Sequence, residues 1–116
     1  MYKFSEIIGA KLERVTESSA TYVDEDDSGD TLNIKGQSLA FDKGWFVIEN
    51  PHTVSGVESL KEVVGSVVID AFSNSDEINI KFNNGAVVTI SLKGDDFVGP
   101  EAASYSPKQG EIIVFN

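Results

Sequence analysis

Asn84-Gly85 stands between two runs of apolar residues, Ile78-Asn79-Ile80-Lys81-Phe82 before it and Val87 to Leu92 after it. In the first run apolar and polar residues alternate. A period of two gives a strand one buried and one wet face, and Asn-Gly tolerates the positive φ of a type I′ turn. The sequence therefore predicts an antiparallel hairpin at this point. Upstream, Val67, Ile69 and Ala71 alternate with Val68, Asp70 and Phe72, and Asn74-Ser75-Asp76 supplies turn chemistry, so a third strand joins the hairpin. Ahead of these strands, Ser55-Gly56-Val57-Glu58 has the Ser-x-x-Glu form of a capping box. Val57, Leu60, Val63 and Val64 follow at helical spacing, which predicts a short helix ending at Gly65. Glu111 to Phe115 reads as a final strand, and Lys93 to Gly110 as the main irregular segment.

The first half echoes the second. Glu6-Ile7-Ile8-Gly9 mirrors Glu62-Val63-Val64-Gly65, and Phe41-Asp42-Lys43-Gly44 mirrors Phe82-Asn83-Asn84-Gly85. From Gly9 to Phe41 is 32 positions and from Gly65 to Phe82 is 17, so the first unit carries fifteen extra residues, the acidic run 24–30 among them. A second register sets Leu32-Asn33-Ile34-Lys35 against Ile78-Asn79-Ile80-Lys81. Strand-rich segments also match through shared alternation alone, which leaves open an internal duplication with units 4–50 and 57–116. Either way the expectation is one mainly β domain over residues 1–116. It would hold seven or eight antiparallel strands in a two-sheet sandwich or partly open barrel, with one or two short helices. Inward candidates are Ile8, Leu12, Val15, Leu39, Phe41, Phe46, Ile48, Leu60 and Val64 in the first stretch. Val67, Ile69, Ile78, Ile80, Phe82, Val88, Ile90, Ile112 and Val114 continue the set.

Charge narrows the function. Nine Lys and Arg against nineteen Asp and Glu give a formal −10 over 116 residues. Such a chain repels phosphate, so neither nucleic acid nor an anionic membrane is an expected partner, whereas a protein with a basic surface is. With no cysteine, disulfides, thiolate nucleophiles and zinc–thiolate sites are excluded. The first residues lack a basic segment followed by an apolar one, and apolar runs such as Trp45 to Ile48 fall far short of the roughly 20 residues a membrane helix needs. A cytoplasmic location is expected.

Few residues offer chemistry. Asp24, Asp26, Ser28 and Asp30 alternate around Gly29, like the opening of a calcium-binding EF-hand loop. Position twelve, where that loop needs a bidentate Glu, is Lys35, and Thr31 to Ile34 reads as strand where a helix should start. The run is thus either a calcium site of another kind or a solvated hairpin loop held open by like charges. His52 is the sole imidazole, no Gly-x-Ser-x-Gly or phosphate-binding glycine motif is present, and Asp95-Asp96 reads as a polar turn. No cofactor is expected, and no catalytic residue. Large groups remain as interface anchors: Trp45, Tyr22, Tyr105 and Phe97, the last beside Asp95, Asp96 and Glu101. Trp45, Asp95, Asp96, Phe97 and Glu101 form the candidate partner-binding set. The competing readings put Trp45 in the core and fold Phe97 back onto a sheet edge.

Gly65-x-x-Val68, the Phe82-x-x-Gly85 hairpin with Val87 to Ile90 behind it, and Gly99-Pro100-Glu101-Ala102 followed by Ile112-Ile113-Val114 together span the second half. In these features the chain resembles a loose group of small acidic bacterial proteins, many uncharacterised and some encoded beside secreted toxins as immunity proteins. That resemblance implies an acidic face covering a basic toxin site. The expected function is a non-enzymatic protein-binding module, of the type that inhibits a basic toxin or nuclease. The alternatives are an assembly module, homodimeric through its strand edges, and a small-molecule or calcium-binding β-barrel.

Overall fold

The computed structural model describes residues 2–23, 31–99 and 101–116. Among them are ten strands: β1 (Tyr2–Lys3), β2 (Leu12–Val23), β3 (Thr31–Phe41), β4 (Gly44–Ile48), β5 (His52–Ser55), β6 (Val68–Ser73), β7 (Glu77–Phe82), β8 (Val87–Ser91), β9 (Ala103–Pro107) and β10 (Ile113–Phe115). They form two five-stranded antiparallel sheets, one in the order β1-β6-β7-β8-β5 and the other β10-β9-β4-β3-β2. The chain is a mainly β two-sheet sandwich that does not close into a barrel. No helix among the described residues is long and apolar enough to cross a membrane.

Each sheet is built around a meander, β2-β3-β4 in one and β6-β7-β8 in the other, and the strand that follows each meander leaves for the opposite sheet. Thus β5 pairs with β8, and β9 with β4. Outside the named strands, one isolated antiparallel bridge joins Lys11 with Val67. Backbone bonds around it come in reciprocal pairs. Gly9 N–H donates to the Val68 carbonyl (2.8 Å) and Gly65 N–H to that of Leu12 (2.7 Å), while Leu12 N–H donates to Ser66 and Val68 N–H to Ala10 (both 2.9 Å). The Asp42 carboxylate accepts from Lys11 N–H (2.9 Å) as the Asn83 side-chain oxygen accepts from Val67 N–H (3.0 Å). These bonds follow the register that matches Gly9 with Gly65 and Phe41 with Phe82, whose rings stack at 6.3 Å. Leu12, Leu39, Phe41, Phe46, Ile48, Ile78, Ile80, Phe82, Val88 and Ile90 fill the core with Phe4, Ile7 and Tyr105.

Several local expectations give way. The helix before Gly65 is only a 3-10 turn, Leu60–Val63, and the box that starts it is Ser59 with Glu62, whose carboxylate accepts the backbone N–H of Ser59 (3.0 Å) and of Glu58 (2.6 Å). Leu60 and Val63, three apart, both bury on the same side of a three-residue turn, leaving Val64 exposed. At Asn84-Gly85 the loop has three residues. Phe82 N–H donates to the Ala86 carbonyl (2.9 Å) and Gly85 N–H to that of Phe82 (3.1 Å), so only Gly85, at φ 92°, is needed in the left-handed region. The segment taken as irregular contains β9, which sits between β4 and β10.

Two strands present the opposite face to the one expected. A register shift between Val68 and Asp70 in β6 sends Val68 and Ala71 inward and leaves Ile69 exposed, with Val67 only partly buried. In β10, Phe115 is buried and Ile113 packs against the core, so Ile112 and Val114 face out. In β6 the shift inverts only the residues ahead of it, whereas β10 pairs with β9 in regular register and buries the parity of Phe115. Ile8 and Val15 are partly buried against the core.

Candidate functional site

Two surfaces stand out, one on each sheet. On the first sheet, a cleft of about 380 Å3 lies where β5 and β7 start and β8 ends. Thr53, Thr89 and Ser91 line it with hydroxyls, and the turn before β7 contributes Asp76 and Glu77. Lys93 and Asp96, from the stretch around the 3-10 turn Gly94–Asp96, also line it. Ser91 donates its hydroxyl hydrogen to Asp96 (2.5 Å) and accepts from Lys93 N–H (3.2 Å). That hydroxyl is therefore engaged with a carboxylate and not with His52, the imidazole on the same cleft. Among the described residues no group of three or more His, Cys, Asp or Glu side chains is arranged to hold a metal ion. The proposed calcium ligands Asp24, Asp26, Ser28 and Asp30 lie outside the described residues.

His52 also borders a second groove, of about 460 Å3, at the open side of the sandwich. Val15, Gln37, Val54, Leu60 and Lys61 are its other main walls. Burial pushes the His52 imidazole below its usual value of 6.5, and a hydrogen bond with the Asn50 backbone opposes part of that shift. The folded protein thus binds this proton less readily than the unfolded chain does. Stability contributed by the neutral ring is present above 6.5 and is lost as pH falls from there towards the depressed folded value. Urea unfolding across that interval should show stability falling with acidity. His52→Gln should flatten the slope there, and an unchanged slope would exclude His52 as its source.

The outer face of the second sheet has a different character. Trp45 is 48% exposed there, its indole N–H donates to the Ser38 hydroxyl (2.6 Å), and the Arg14 guanidinium lies over the ring at 5.8 Å. Register places Ala40 and Ser106 beside Trp45, and Ser38, Ser104 and Val114 in line with Val47. Ile112 and Val114, 64% and 43% exposed, extend the face along β10. Of the large apolar residues exposed among those described, Trp45, Ile112 and Val114 belong here. Arg14 is the one charged side chain among the face residues just named.

The structure divides the candidate partner-binding set. Trp45 is on the second sheet and exposed, so it is not core. Asp95 and Asp96 belong to the 3-10 turn by the first sheet's cleft. Phe97 folds back, partly buried against the core. Glu101 is half-buried in the approach to β9. Tyr105 is no anchor: it is fully buried, its hydroxyl has no hydrogen-bond partner, and burial pushes its pKa up, with Asp42 and Glu6 adding to the effect. Sequence reasoning missed the hydroxyl floor of the cleft, for which no local motif exists. It also missed Ile112 and Val114 as surface residues, although Phe115, the largest side chain of that strand, signals which parity points inward. Neither a family model, nor a curated protein, nor a solved structure matches the chain.

Proposed function

We propose that this protein is a non-enzymatic protein-binding module working in the cytoplasm, with its contact surface on the outer face of the second sheet around Trp45. One observation carries the reading: in a chain of net charge −10, the exposed Trp45, Ile112 and Val114 share a face on which Arg14 is the charged neighbour. Exposed apolar area of this kind marks a surface that another macromolecule covers, and a Trp held by a hydrogen bond and a cation stack is a preordered anchor.

A photo-crosslinking residue at Val47, on this face, should capture a discrete protein in cells, and Trp45→Lys should abolish the capture. The same residue at Thr89, on the other sheet, should not. Capture from Thr89 alone would overturn the assignment of the face.

The charge favours a second reading, an immunity-type inhibitor of a basic toxin or nuclease. Asp76, Glu77 and Asp96 line the first sheet's cleft and Asp95 shares the 3-10 turn with Asp96, so a cationic surface would be attracted there over a Debye length of about 8 Å at physiological salt. Association through that cleft weakens steeply as salt rises, whereas association through the Trp45 face barely responds. Salt dependence thus separates the two.

A further inference from the structure

β5 is an edge of the first sheet, with β8 on one side and, among the described residues, no strand on the other. Two bonds fix which of its backbone groups β8 takes. Ser91 N–H donates to the Pro51 carbonyl (3.0 Å), and Leu92 N–H to that of Asp76 (2.8 Å) on the far side of β8. Bonded pairs alternate along an antiparallel ladder, so Thr53 bonds with Thr89, while His52 and Val54 turn their N–H and C=O groups away from β8. The result is a row of two donors and two acceptors that repeats at about 6.8 Å, twice the rise of a strand residue. Among the described residues none of the four has a backbone partner.

The same two residues line the groove at the open side of the sandwich. Side chains alternate along a strand, so Thr53 lies on the cleft side, whereas His52 and Val54, both partly buried, join Val15 and Leu60 as walls of the groove. An unpaired backbone row and apolar walls therefore belong to one site. Its charge is the reverse of the protein's. In a chain of nineteen acids and nine bases, the titratable side chains lining the groove among the described residues are Lys61 and His52, with no carboxylate. Glu62, the acid next to Lys61, is turned to the backbone N–H groups of Glu58 (2.6 Å) and Ser59 (3.0 Å).

The geometry points to a peptide-binding site: an extended, acidic segment of another protein adds to the first sheet beside β5 and lays alternate side chains into the groove. Backbone complementarity selects the occupant. Donors and acceptors at a two-residue repeat are matched by a second extended main chain, whereas a lipid, a sugar or a nucleic acid has no such row. Charge selects its chemistry, since Lys61 attracts a carboxylate and a basic segment meets no anion among the described walls. A second copy of β5 does not fit this requirement, because His52-Thr53-Val54-Ser55 carries no acid and each chain carries −10. The site is on the first sheet, so it stands whether or not the Trp45 face on the second is a contact surface.

A phage-displayed library of random peptides, panned on the full chain, should yield sequences that share an acidic residue at a fixed position. Synthetic copies of them should shift the backbone amide resonances of His52, Val54 and Lys61. N-methylation of every second peptide residue in one phase should weaken binding more than about tenfold and in the other phase leave it unchanged, because only alternate N–H groups bond to β5. Lys61→Glu should weaken the same peptides about tenfold, and Trp45→Lys should not affect them. Val54→Pro removes an outward N–H that β8 does not use, so it should abolish binding with the far-ultraviolet dichroism unchanged. If that variant misfolds, the two methylated series and Lys61→Glu decide. Failure to select any peptide, binders without an acid, or equal effects of the two methylation phases overturn the inference. A dimer of the free protein that Val54→Pro dissociates also overturns it, since a second copy then takes the edge.

Discussion

Phe46→Ala should lower the free energy of unfolding by about 3–5 kcal/mol, seen as a fall in the urea midpoint at unchanged m-value. Phe46 is fully buried in β4, which has β3 and β9 on either side. Its ring meets those of Phe4 and Tyr105 at 6.3 Å and of Phe115 at 6.2 Å, and Phe4 and Phe115 are themselves 5.1 Å apart. Truncation would therefore leave a void lined by three rings from distant parts of the chain, none of which can collapse without moving its own strand. Trp45→Ala, one residue earlier and on the wet face, should cost less than half as much. Equal losses at the two positions would contradict the assignment of β4's faces.

Gly56→Ala should cost about 2–5 kcal/mol, and Gly85→Ala only about 1–2 kcal/mol, although both residues have left-handed backbones. Gly56 is at φ 83° and Gly85 at φ 92°. At Gly56 a Cβ would strike the Gly85 carbonyl and lie 3.2 Å from the Ala86 Cα, backbone atoms held by the β7–β8 loop. At Gly85 a Cβ would meet nothing within 4 Å, so only the dihedral cost remains. Thermal unfolding of the two variants side by side measures the difference. Similar midpoints would mean that the segment after β5 does not press on the hairpin loop.

Local chemistry explains how much of this was legible beforehand. Alternation around Asn84-Gly85 located β7 and β8, and Gly65 matched Gly9 because both corners use a left-handed glycine, at φ 94° and 88°. Gly44, by contrast, opens β4 opposite Phe41 and Gly85 closes a three-residue loop, so those two turns differ. β9 was not legible: Ala103-Ser104-Tyr105-Ser106-Pro107 has no β-branched residue and ends in proline, and it is a strand because β4 and β10 pair with it on both sides. The apolar run Trp45-Phe46-Val47-Ile48 has no polar residue to mark a parity, so periodicity was silent on whether Trp45 was core or anchor. The cleft assembles residues from 51 to 96 through long-range pairing, and no spacing in the sequence announces it.

By itself the sequence determined the β content, the hairpins, the absence of thiol chemistry and the negative charge, since each follows from residue identity or from neighbours a few positions away. Only the tertiary structure decided which face of each strand is wet and that Trp45 sits on one sheet while Asp96 lies by the cleft of the other. Side chains alternate along a strand, so a one-residue bulge or slip inverts both faces, and the partner strand that sets the register lies tens of residues away along the chain.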